Sequence, residues 1–344
     1  MNHILSEDIA HIHKEVDFTL FEGKKILITG ATGLIGTAVI LSMLEWNKTA
    51  KEKIRITAVI RNVEKAKELF DGYDDSVMEY LVSDVCDVKS SDLGIDYVIH
   101  GASSTSSKAF VSTPVEIVKT AVLGTMNLLE FAKLNKVKGF VYLSSMEVYG
   151  TPMTEDKIDE SRALTQNVLD VRACYPESKC MCENLCISYA SEYGVPTKIV
   201  RLTQTFGPGV RYNDGRVFAE FARCVIESRD IVLKTKGETK RNYLYLADAV
   251  TAILTVLLDG ETANAYNAAN EDTYCSIYDM ACAVARLNSR IKVVIEEGND
   301  IGKLGYNPTM KMNLSSEKLR RLGWKSAYGL MDMYQRMIDS MNQE

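Results

Sequence analysis

One stretch, residues 24–37, constrains the fold more than any other: Lys24, Lys25, Ile26, Leu27, Ile28, Thr29, Gly30, Ala31, Thr32, Gly33, Leu34, Ile35, Gly36 and Thr37. An apolar run with a β-branched residue on either side of Leu27 predicts a buried strand. Gly30, Gly33 and Gly36 then punctuate a turn, and the apolar residues from Leu34 to Leu44 predict a helix. A strand that feeds a glycine turn and a helix N-terminus makes an anion site. The early glycines let the backbone approach a pyrophosphate, and the last lets the helix pack on the strand. The spacing is Gly-x-x-Gly-x-x-Gly rather than Gly-x-Gly-x-x-Gly, but its strand–turn–helix setting points to a dinucleotide site. Gly30, Thr32, Gly33, Leu34, Ile35 and Gly36 are its candidate contacts.

The chain after this turn alternates strand and helix signals. Residues 54–60 predict a second strand, whose end in a dinucleotide fold usually offers an acid to the adenosine ribose. Arg61 and Asn62 stand there instead, and a guanidinium suits a 2′-phosphate. Residues 80–85 predict a third strand, ending where Asp84 and Val85 would meet the adenine. Residues 97–102 predict a fourth, running into Gly101, Ala102 and Ser103, small enough for the backbone to lie against a cofactor. A helix from Pro114 to Lys133 leads to a fifth strand, residues 139–145. This alternation implies an α/β fold built on a parallel, doubly wound sheet. Ahead of it, Ile9, Ile12, Val16 and Leu20 recur at helical spacing. They predict a helix over residues 6–20 with Ser6 as N-cap, packed on the domain or on another subunit, with His11 and His13 at its surface.

Bulk properties exclude some functions. At 344 residues the chain can hold one large or two unequal domains. A net charge of −6 offers no broad basic field to nucleic acid or acidic lipid, so neither is an expected partner. The eight cysteines include no C-x-x-C pair, so they are expected to be small core residues rather than metal ligands, as suits a reducing cytoplasm. No apolar run has membrane-spanning length, and residues 249–258 predict a core helix. The N-terminus shows no basic-then-apolar pattern, so no signal peptide and a cytoplasmic location are expected.

A polar cluster carries the chemistry. Ser144, Ser145, Met146, Glu147, Val148, Tyr149 and Gly150 follow the fifth strand, at the end where ligands of open α/β sheets bind. Further on come Tyr175, Pro176, Glu177, Ser178 and Lys179. With Pro176 starting a helix, Tyr175 and Lys179 lie four apart and face the same way. The ammonium is expected to lower the phenol's pKa, so that Tyr175 takes a proton from a hydroxyl while hydride leaves the same carbon. Ser145 would hold the oxygen in place.

Together these blocks make the chain, from residue 22 onward, resemble the extended short-chain dehydrogenase/reductases that act on nucleotide sugars as epimerases, dehydratases and decarboxylases. Further blocks agree: Arg201 to Pro208 resembles the substrate loop, with Gln204 where asparagine is usual. Arg241 to Asp248 resembles the block whose arginine grips the nucleotide diphosphate, and Lys318 to Trp324 resembles the near-C-terminal helix. The resemblance implies a Rossmann sheet with a smaller C-terminal α/β substrate domain. Residues 1–21 would be a helical extension, 22–175 the dinucleotide domain with returning segments near 198–205 and 241–265, and 176–344 mainly the substrate domain. It implies Ser145, Glu147, Tyr175 and Lys179 as catalytic residues, with Tyr175 and Lys179 also touching the cofactor. Ser145, Gln204, Arg216 and Arg241 would contact a nucleotide-sugar substrate. The cofactor would be NAD(P): redox-neutral chemistry in this family favours NAD, and Arg61 favours NADP. A homodimer is implied, through the helices after Pro114 and Tyr175.

Three details look most like UDP-glucuronate decarboxylases. These are Asn213 to Val217 with Asp214 and Arg216, Arg172 before Cys174 and Tyr175, and Glu147 at the glutamate implicated in decarboxylation, with Arg241 as its companion. Met146 departs from the pattern, replacing both the decarboxylase serine and the dehydratase aspartate, and Ala121 stands where asparagine is common. Dehydration is therefore disfavoured. Decarboxylation or 4-epimerisation through a 4-keto sugar is expected, with an NADPH-dependent 4-ketosugar reductase or a non-catalytic NAD(P)-binding regulator as alternatives.

Overall fold

The structure is a computed structural model that describes residues 2–89, 91–162, 167–296 and 309–343. Strands β1 (Lys25–Thr29), β2 (Arg55–Ile60), β3 (Met78–Val82), β4 (Tyr97–His100), β5 (Gly139–Ser145), β6 (Thr197–Leu202) and β7 (Asn264–Ala268) form a 7-stranded parallel sheet. Its order is β7-β6-β5-β4-β1-β2-β3. The winding direction reverses between β1 and β4, and the crevice beyond their C-terminal ends is where such sheets bind ligands. Both faces of the sheet are covered, as parallel strands require. Ile26 and Ile28 of β1 belong to one apolar cluster and Leu27 to another, as period-two side chains must.

The helices used below are α1 (His3–Glu15), α2 (Leu34–Asn47), α3 (Val63–Leu69), α4 (Ser107–Ser112), α5 (Pro114–Asn135), α6 (Cys174–Tyr193), α7 (Val217–Ile226) and α8 (Leu246–Asp259). The cluster holding Leu27 takes Leu128 and Leu129 from α5 and Cys182 and Cys186 from α6. The opposite cluster takes most of α2 and α8. Among the described residues no helix is long and apolar enough to cross a membrane.

A second, 5-stranded sheet joins Asn270–Ser276, Lys240–Tyr245, Lys311–Leu314 and Met153–Ile158, with Gln204–Phe206 paired to Lys240–Tyr245. Of the segments expected to return to the first sheet, 197–202 and 264–268 lie in it. Residues 241–245 do not: Tyr243, Leu244 and Tyr245 pair with Gln204, Thr205 and Phe206 in the smaller sheet.

The N-terminal helix also differs from expectation. Asn2 caps α1 by accepting from Ile4 N at 2.8 Å, and Ser6 lies inside the helix. The helix ends at Glu15, and Asp17 caps a 3-10 turn over Phe18–Phe21. This breaks the 3.6-residue period and leaves Leu20 half exposed. His13 is half-buried rather than fully at the surface. Its Nε2–H donates to Ser42 O at 2.7 Å, its ring meets those of Phe18 and Trp46 edge-on, and burial lowers its pKa. Asp8 is buried, accepts from Tyr245 Oη at 2.7 Å and pairs with Arg336 at 2.7 Å, tying α1 to the C-terminal helix Leu330–Met341.

Candidate active site

The glycine turn sits directly after β1. Gly30 has φ +71°, and a Cβ there would lie 2.8 Å from the Gly101 carbonyl. A Cβ on Gly36 would lie 2.3 Å from Gly30 O, so α2 starts this close to the strand only without a side chain. Gly33 N donates to Gly30 O at 2.9 Å, and Gly33 caps α2 facing solvent, flanked by half-buried Thr32, Leu34 and Ile35. Such an open glycine-lined helix start fits a dinucleotide pyrophosphate.

Thr29 fastens the fourth-strand loop to this turn. Its Oγ1 accepts from Gly101 N at 3.2 Å and Ala102 N at 3.1 Å, and donates to His100 Nδ1 at 2.7 Å. His100 Nε2 then donates to Thr125 Oγ1 at 3.0 Å. Burial pushes His100 down to about 3, so the ring is neutral and this tautomer completes the chain. Ser103 is half-buried at the start of the loop that leads to α4.

Just after β2, Arg61 is largely exposed and lies 3.7 Å from Asp84. Asp84 itself accepts from Cys86 N at 3.0 Å, and Val85 packs against Gly124 of α5. Lys65 of α3 donates to Thr32 O in the glycine turn at 2.6 Å. Arg211 is close enough to reinforce the drop in Lys65's pKa that burial begins.

The groups expected to handle a proton meet at the end of β5. Ser145 caps the turn Met146–Tyr149 by accepting from Glu147 N at 3.2 Å, and it lies near enough to Tyr175 to favour the ionised phenol. Helix α6 starts at Cys174, so Pro176 lies within its first turn and Tyr175 and Lys179 share a face. Lys179 directs its hydrogen bond to the strand rather than to Tyr175. Its Nζ donates to Leu143 O at 2.7 Å and lies 4.7 Å from the Tyr142 ring and 5.8 Å from that of Tyr175. Burial lowers Lys179 to about 8. Burial raises the Tyr175 phenol instead of leaving it lowered, and the Glu147 charge adds to this. Ser145 and the Arg172 charge oppose it.

Glu147 is gripped by Arg172, at 2.9 and 3.3 Å, and not by Arg241. Two 3-10 turns, Met146–Tyr149 and Val171–Ala173, bring this pair together, whereas Arg241 lies in the smaller sheet. There Arg241 leaves Nε buried without a hydrogen bond among the described residues, with its guanidinium 6.0 Å from the Tyr243 ring. Arg216 pairs with Asp214 at 2.7 Å and stacks 4.7 Å from Phe218, and half-buried Gln204 opens the strand Gln204–Phe206. Met146 is buried with Val148, Ile158 and Met310, leaving it little surface to offer the cleft. Ala121 is buried too, and its carbonyl accepts from Cys182.

Sequence reasoning passed over Thr29, Lys65 and Phe110. Thr29 carried a signal, as a hydroxyl closing an otherwise apolar strand before Gly30. Phe110 carried none: only the fold stacks its ring on Tyr175, 4.4 Å apart and 14° from parallel.

The model of the NAD dependent epimerase/dehydratase family matches residues 26–269. The chain belongs to this family. This family member is 28% identical over 328 residues to UDP-glucuronic acid decarboxylase 1 of Xenopus tropicalis, covering 93% of this chain and 73% of that protein. It is 30% identical over 256 residues to dTDP-D-glucose 4,6-dehydratase of Dictyostelium discoideum, covering 71% and 58%. Its fold matches that of UDP-glucuronic acid 4-epimerase from Bacillus cereus in complex with NAD, at TM-score 0.74, 19% identity and coverage of 93% and 99%.

Proposed function

We propose that this family member oxidises a nucleotide-linked sugar at C4, lets the 4-keto sugar react, and reduces it again, with a uronic acid such as UDP-glucuronate as substrate and CO2 as product. The observation that carries this reading is the meeting of Ser145, Tyr175 and Lys179 at the end of β5, beside the Gly101 loop and the glycine turn. NAD held there by Gly30, Gly33, Gly36 and the Gly101–Ser103 backbone would supply reversible hydride transfer. Tyr175 takes the proton of the sugar 4-hydroxyl, Ser145 orients that oxygen, and Lys179 places a cation behind both. Glu147 orients the sugar around C5 and C6, and Gln204, Arg216 and Arg241 hold the nucleotide and its diphosphate. The similarity to decarboxylases supports the uronic acid.

The second reading is 4-epimerisation, which Met146 favours because a buried thioether offers no acid toward C6. Exposed Val115, Val118, Leu123 and Met126 on α5 and Met181 and Ile187 on α6 support a homodimer through these helices. Eight unpaired cysteines fit a cytoplasmic setting. Incubation with a panel of nucleotide sugars, read by mass and NMR, is the test. A pentose with CO2 supports decarboxylation, a C4 epimer the second reading, and a 4-keto-6-deoxy product overturns both. Net consumption of added NADPH would mark a 4-ketosugar reductase instead.

A further inference from the structure

Five residues surround the proton-transfer site. Ser145 lies near enough to Tyr175 to favour its ionised form, and Tyr175 stacks on Phe110 of α4. The Arg172 guanidinium lies 5.5 Å from the Phe110 ring centroid and grips Glu147 with both nitrogens, and Glu147 N returns to Ser145 Oγ. Asp170 fixes the turn that presents Arg172 by accepting from its backbone N at 2.9 Å. The Arg172 and Glu147 side chains are only 12% and 17% exposed, so water screens their charges weakly.

We infer that Arg172 is a positioning residue: it fixes Glu147 against the end of β5, balances its charge next to Tyr175, and braces the Tyr175 ring through Phe110. The inference rests on the reading of Tyr175 as the proton-transfer residue. A lone carboxylate beside a buried phenol resists ionisation of that phenol, and a cation paired to the carboxylate removes most of the penalty. Arginine suits the task because its planar fork meets both carboxylate oxygens while its face packs on an aromatic ring. Among the described residues, the other titratable groups facing Tyr175 include Lys179 on its own helix, Tyr142 on β5 and Cys174 immediately before it. Cys174 feels the same pair: burial raises its thiol, Arg172 lowers it and Glu147 raises it.

Cys174 therefore reports on the balance without any substrate. The experiment follows alkylation of the Cys174 peptide by iodoacetamide against pH, using mass spectrometry, in the wild type, Arg172→Met, Arg172→Lys and Arg172→Met/Glu147→Gln. The midpoint is expected to rise by about one pH unit in Arg172→Met, about tenfold less thiolate at a fixed pH. It should stay near wild type in Arg172→Lys and return toward it in the double variant. A midpoint unmoved in Arg172→Met, even with faster labelling at every pH, overturns the inference and leaves Arg172 as packing. In parallel, the rate of conversion of UDP-glucuronate against pH should show the same upward displacement of its ionisation limb. If Tyr175→Phe converts the sugar at the wild-type rate, the proton-transfer reading fails, while the Cys174 midpoints still decide the charge balance.

Discussion

The Lys179 ammonium donates to the backbone carbonyl of Leu143 at 2.7 Å, inside the protein, tying α6 to the strand that ends in Ser145. Burial draws Lys179 down to about 8, so its charge is held close to the pH range in which enzymes work. The lysine is thus both a strut between two elements and a cation stored behind the site.

Substituting the phenol and the lysine should separate these roles. Tyr175→Phe is expected to lower turnover at least about a hundredfold, the scale of losing a general acid/base, with NAD affinity kept. Lys179→Met should lose turnover and NAD binding together. Calorimetric titration with NAD beside product assays checks both, and near-normal turnover by Tyr175→Phe would exclude the mechanism.

Arg61 sets the second prediction. It is exposed beside Asp84, where a 2′-phosphate could reach it. Arg61→Asp should move the ratio of NADP to NAD affinity about tenfold toward NAD, roughly 1.4 kcal/mol. An unchanged ratio of dissociation constants would show that this guanidinium does not read the phosphate.

Glu147→Gln discriminates the two reactions. It should sharply reduce CO2 release if the protein decarboxylates a uronic acid. It should leave 4-epimerisation within about tenfold, a size that fits a positioning role. Equal loss of both activities would place Glu147 in a step that they share.

The glycine turn tolerates no side chain at its helix end. A Cβ on Gly36 would lie 2.3 Å from Gly30 O. Gly36→Ala must push α2 away from β1, and both NAD binding and the melting temperature are expected to fall. Calorimetry with and without NAD is the measurement, and a variant that binds NAD as tightly as wild type contradicts the packing argument.

Asp248 predicts a pH dependence of stability. Burial raises its carboxyl to about 7, against hydrogen bonds from Ala327 N and Tyr328 N that lower it. A carboxyl raised in the folded state binds its proton more tightly there than in the unfolded chain. Its stabilisation is complete below the ordinary value of 3.8 and is lost as pH rises through about 7. Asp248→Asn keeps an acceptor without the charge. Its melting temperature relative to wild type should therefore climb between about pH 4 and about pH 8. A difference that stays constant over that range would contradict the assignment.

Local chemistry made much of this protein legible. The apolar run before Gly30, the glycine spacing and the alternation of strand and helix signals determine the parallel α/β sheet, because each is a short-range steric or burial requirement met within a few residues. The shared helix face of Tyr175 and Lys179 was visible for the same reason, whereas the role of Ser145 beside Tyr175 was read from its place at a strand end and from the family resemblance. What needed the tertiary structure was every partner chosen across distance. The sequence places Arg172 and Arg241 equally far from any proof of contact with Glu147. Two turns bring Arg172 to it, while strand pairing carries Arg241 into the smaller sheet. Nor does the four-residue spacing of Tyr175 and Lys179 tell where the ammonium points. The carbonyl of Leu143 takes it, and burial then raises the phenol that spacing alone would have lowered. Charge balance in a buried site depends on what is desolvated and what lies within hydrogen-bond reach, and only the folded chain decides that.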